Sequence, residues 1–185
     1  MRRLSSVLIV ALLLEGCAGS AVEPTASSAP IEISIGASWA QTYADVQALA
    51  SDADLVVVAH MTDVAYQGPD PNDNSGAKVK VPLTRFHAMV ERIVRGSAPK
   101  VLVVAQTGGP IQGEMIAVDG DPLMLLGTRY FLFLRRFDDG TYGVLGGPQG
   151  RLIVASDGSI AKVGDSNVAL PSGITLDGLI STVEG

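Results

Sequence analysis

Residues 55–66 read LVVVAHMTDVAY, rich in β-branched residues and free of Gly and Pro. This run constrains the fold more than any other feature. Such a composition favours an extended strand over a helix. Its first five residues, Leu55–Ala59, are apolar on both faces, so both faces must be covered. A strand covered on both faces lies at the centre of a sheet or in the wall of a closed barrel.

Further runs of the same kind follow. Val81–Val94 predicts a second long strand, in which Phe86, Ala88 and Val90 share one face and Arg85, His87 and Glu91 the other. Gly96–Pro99 turns the chain into a third strand, Val101–Ala105. Residues 106–123 read as a Gly-containing loop with room for a short strand. Thr128–Phe137 predicts a fourth strand, closed by the hairpin signal Asp138-Asp139-Gly140. Thr141–Leu145 and Arg151–Ala155 continue on either side of Gly146-Gly147-Pro148-Gln149-Gly150. Ser156–Ser159 makes another hairpin turn, and Ile160–Val163 pairs back. Upstream, Ile31–Ile35 alternates as a short edge strand. Residues 39–50 place Trp39, Tyr43, Val46 and Leu49 at helical spacing, with Ser38 as N-cap. Residues 173–183 predict a short last helix. The expected fold is mainly β: a small OB-like antiparallel β-barrel of about five or six strands, with one N-terminal and one short C-terminal helix. The alternative is a two-sheet β-sandwich.

The N-terminus is a different material. Arg2 and Arg3 precede the apolar run Val7–Leu14, and small residues follow at Gly16–Ser20. Spanning a bilayer takes about 20 apolar residues, so this run has instead the length of a signal-peptide h-region. Residues 1–16 are therefore expected to be a signal peptide. Removing them takes away two Arg and one Glu, so the remainder is one charge more acidic than the whole chain's −6. Residues 18–30 (AGSAVEPTASSAP) form a flexible tether by composition. Residues 31–185 form the domain.

Leu14-Glu15-Gly16-Cys17 resembles the bacterial lipobox. Glu15 departs from it, where that pattern has a small residue. The resemblance implies a diacylglycerol on the Cys17 thiol, cleavage before Cys17 and acylation of the new amine, with palmitate-like chains holding the protein on a membrane. Two acyl chains suffice for stable anchoring where one does not. In the domain, Ser51–Val58 (SDADLVVV), Glu91–Gly96 (ERIVRG), Gly127–Leu134 (GTRYFLFL) and Gly146–Leu152 (GGPQGRL) occur in an order that resembles small secreted bacterial domains. The same order is similar to the netrin and TIMP-like OB-fold group. That resemblance implies an OB-like barrel. It does not extend to protease inhibition through an N-terminal cysteine, because Cys17 has no partner cysteine.

No Gly-x-Ser-x-Gly elbow, Walker-type phosphate loop or His-Glu-x-x-His motif occurs in the chain. His60 and His87 both fall in strands, and Asp63 or Glu91 offers a third ligand for a metal site. The bland reading makes each a surface or hydrogen-bonded histidine. Asp70–Gly76 alternates oxygen donors but lacks the Gly and Glu of a calcium loop, which leaves a plain turn. Gly147, Gln149 and Arg151 are candidates on a sharp turn with a functional alternative. Arg135, Arg136 and Arg151 form a local basic spot on this reading, with solvated side chains. The acidic balance and the scarcity of aromatics disfavour nucleic acid as a partner. The expected function is a membrane-anchored extracytoplasmic lipoprotein, exported and held on the outer face of a bacterial membrane, non-catalytic, without a cofactor, and binding an unknown protein partner. The alternative is a metal-dependent enzyme or a protease-inhibitor-like domain.

Overall fold

The computed structural model describes residues 32–36, 39–71 and 80–185. The leader, Cys17, the tether, Ile31, the Ser38 cap and most of the calcium-like loop lie outside the described residues.

The barrel is built from five strands: β2 (Leu55–Pro69), β3 (Pro82–Arg95), β4 (Val101–Thr107), β7 (Arg129–Arg136) and β8 (Tyr142–Val144). β2, β3 and β4 form an antiparallel meander. β4 pairs with β8 in parallel. β7 pairs with β8 on one edge and β2 on the other, both antiparallel, and this closes the ring. Counted along the chain, the barrel strands stand in the order 1-2-3-5-4 with the third and fifth parallel. This is the OB-like barrel and not the two-sheet sandwich. β9 (Arg151–Val154) pairs with β7, and β10 (Ile160–Lys162) pairs with β9, extending the wall outward. A small separate sheet takes the place of the loop expected over residues 106–123. In it β1 (Glu32–Ile35) runs parallel to β6 (Glu114–Val118), and β6 pairs with β5 (Gly109–Ile111).

Two cores explain the doubly apolar first half of β2. Leu55, Val57, Ala59 and Met61 point into the barrel with Phe86, Leu102, Val104, Tyr130, Leu132 and Leu134. Val56 and Val58 point outward, with Phe131, Phe133, Leu152 and Val154, under the two helices. The Phe131 and Phe133 rings lie 5.2 Å apart in a tilted contact. Tyr130, Phe131 and Phe133 are thus all core residues, and the alternation of the strand divides them between the two cores.

α1 (Val46–Asp52) is shorter than the expected 39–50 helix and begins at the Asp45 cap. Asp45 Oδ1 accepts from Ala48 N at 2.9 Å. The preceding turn is not helical because its backbone is bound elsewhere. Tyr43 N donates to Gln149 Oε1, Tyr43 O accepts from Gln149 Nε2, and Ala44 O accepts from Ala169 N. Val46, Leu49 and Ala50 form the buried face of α1. α2 (Leu176–Glu184) is capped by Thr175 and buries Leu179 and Ile180. Among the described residues no helix is long and apolar enough to cross a membrane.

Candidate functional site

The two histidines lie on the outer face of the β2–β3 ribbon. A β-bulge at Thr62 interrupts the register between Met61 and Asp63. Met61 therefore points into the barrel while His60, Thr62 and Asp63 all face out. His87 Nδ1 lies 2.7 Å from Asp63 Oδ1. The Thr62 hydroxyl donates to Asp63 Oδ2 at 2.8 Å. His60 Nδ1 stands 3.4 Å from Glu91 Oε1, and Arg129 Nε donates to Glu91 Oε2 at 2.6 Å. The hydrogen bond from His87, then that from Thr62, hold the Asp63 carboxyl below its ordinary value. Each imidazole thus has its own carboxylate. Met89, opposite His60, stands between His87 and Glu91 on β3. No three His, Cys, Asp or Glu side chains are grouped to hold a metal ion among the described residues.

The Gly146–Gly150 turn is a structural joint. Residues 147–150 form a buried single-turn 3-10 helix. Gln149 Nε2 also donates to Asn167 Oδ1 at 2.5 Å, so this one amide ties residues 43 and 167 to the turn. Gly147 has φ +57, and a Cβ there would overlap the Trp39 ring. The turn is therefore shaped to receive Trp39 and Tyr43.

Arg151 corrects the sequence reading. It is not a solvated member of a basic spot; it is 1% exposed. Its Nη2 donates to Asp121 Oδ1 and to the Pro122 carbonyl. Gln106 Nε2 donates to the Pro122 carbonyl at 3.0 Å, and its Oε1 accepts from Met124 N at 2.9 Å. Together they pin the start of the β6–β7 loop against the barrel. Burial pushes the Asp121 carboxyl above its ordinary value, against the opposing pull of Arg151. Burial likewise lowers Arg151. Arg135 and Arg136 remain exposed.

A groove of about 500 Å³ opens where the small sheet meets the loop end of the β2–β3 ribbon. Ile33 and Ile35 of β1, Ile111 of β5, Ile116 of β6, and Val81 and Pro82 line it. Lys80, Gln112 and Glu114 supply its polar lining. Ile33 and Val81 are 37% and 43% exposed, high values for large aliphatic side chains. Gln112, with φ +53, is the only non-glycine residue in the left-handed region among the described residues. It occupies the β5–β6 turn with Gly113, a two-residue turn with positive φ at both positions. Sequence reasoning missed this groove. Its walls come from segments far apart in the chain, joined by the parallel pairing of β1 with β6. The Gln112-Gly113 turn inside the presumed loop was the local signal.

No protein-family model matches the chain, and no curated protein matches it. Function must therefore be argued from the residues themselves.

Proposed function

We propose that the chain is an exported, membrane-anchored lipoprotein whose OB-like barrel is a non-catalytic module that binds a protein partner in the bacterial envelope. One observation carries this reading: the sole cysteine, Cys17, stands three residues past the end of an apolar run of signal-peptide length, in a lipobox-like setting. The composition of the next segment supports it. Residues 18–30, small, polar and Pro-containing, have the composition of a spacer between anchor and barrel. The residues with the most chemical potential serve the fold. Arg151 and Gln149 bind inside it, and each histidine pairs with one carboxylate. A net charge of −6 disfavours nucleic acid as a partner.

The test is fractionation of a bacterium expressing the full chain. The wild-type protein is expected in the membrane fraction, released by detergent and not by high salt. Cys17→Ser is expected to leave the membrane or to accumulate as the uncleaved precursor. A cleaved Cys17→Ser chain that stays on the membrane like the wild type would contradict the proposal.

A further inference from the structure

We infer that the groove between the small sheet and the loop end of the β2–β3 ribbon seats one acyl chain of the lipid carried on Cys17. This rests on the lipoprotein reading above and names a ligand for a surface that the reading leaves unexplained. Three observations point to this occupant. First, the lining is aliphatic. Ile33, Ile35, Ile111, Ile116 and Val81 offer branched hydrocarbon surface without an aromatic ring on which a sugar or base would stack. Second, part of that lining faces solvent in the structure, at Ile33 and Val81. Third, the chain outside the described N-terminal residues ends at the groove itself. β1, which supplies Ile33 and Ile35, is the strand into which the tether runs.

Reach is ample. Residues 18–31 can extend about 50 Å, so the Cys17 lipid is always within range of the groove. A tether this short holds its cargo at millimolar effective concentration, so a weak seat is enough to be filled. The consequence concerns the anchor. Two chains hold a protein on a bilayer durably, whereas one gives only reversible binding. Seating one chain in the groove therefore withdraws it from the bilayer: with the diacylglycerol alone this leaves one chain and a releasable anchor, and with an acylated amine it leaves two and a durable one. Pro69 and Lys80 line the groove, but the sequence between them includes Asn72–Gly76, whose polar or small residues match an aliphatic lining poorly.

The test uses the full chain made in bacteria fed a palmitate analogue bearing a diazirine. The mass of the purified protein is read first, then the detergent-solubilised protein is irradiated at high dilution and cross-links are mapped by mass spectrometry. Expected are intramolecular cross-links to Ile33–Ile35, Val81 and Ile111–Ile116. Ile33→Asp and Val81→Asp, at exposed positions that leave the barrel core intact, should each cut that labelling about tenfold, because an aliphatic seat rejects a charge. A lipid-bearing Cys17 whose probe labels none of the lining would overturn this inference and leave the anchor standing. A Cys17 without lipid would overturn both. Labelling confined to residues 72–79, labelling between two copies, or labelling unchanged in both variants would each overturn the acyl seat.

Discussion

Gln149 commits both ends of its side-chain amide to the backbone of Tyr43, and its Nε2 binds Asn167 as well. An alanine there leaves the buried Tyr43 amide and carbonyl without those partners. Gln149→Ala is therefore expected to lower stability by about 2–3 kcal/mol in urea denaturation. Arg135→Ala, on the exposed strand end, should stay within about 0.5 kcal/mol of wild type. Arg151 and Asp121 behave as a unit, because each is buried against the other. Removing one partner strands a charge: Arg151→Met or Asp121→Leu should each cost about 3–5 kcal/mol. The double variant should cost far less than the two single costs combined, which a double-mutant cycle reads directly. The sequence made Arg151 look like a surface residue because it follows a glycine turn and has no acidic neighbour along the chain. Asp121, 30 positions upstream in a loop, becomes its partner only through the tertiary fold.

At the scale of elements, the β2–β3 ribbon shows how a bulge changes what a strand presents. The extra residue at Thr62 puts Asp63 on the face of His87, and their hydrogen bond lowers the Asp63 pKa. A carboxyl lowered in the folded state contributes stability that is complete above its unfolded pKa, near 4. That contribution disappears as the pH falls through the lower folded value. The stability gap between wild type and His87→Gln should therefore be full at pH 5 and close on further acidification, as read by thermal melts across that range. α1 gives a second element-level prediction. Its one side-chain N-cap is Asp45, so Asp45→Ala should cost about 1 kcal/mol. The helical spacing of Trp39 and Tyr43 misled the reading of residues 39–45. Those side chains are placed by the Gly146–Gly150 turn, and the backbone between them bonds across the fold instead of along a helix.

For the molecule as a whole, the strands and their turns were legible because burial leaves period-two patterns and because Gly-bearing turns punctuate them. Closure was legible only in part. The doubly apolar start of β2 required cover on both faces, and the structure supplies it with the barrel interior on one side and the helices on the other. The β1–β6–β5 sheet was hidden, since its strands are short and one comes from the far N-terminal end of the domain. The groove built on that sheet was hidden with it. The proposal rests on the N-terminal residues. A leader-like run, a lone cysteine and a small-residue spacer precede a barrel with a filled core, and together they motivate the proposal of a tethered binding module. The most direct test is the mass of the mature N-terminal peptide from protein purified out of bacterial membranes. The account predicts a peptide beginning at Cys17 and carrying a diacylglycerol on its sulfur. A mature chain that begins elsewhere, or begins at Cys17 with a free thiol, would contradict it.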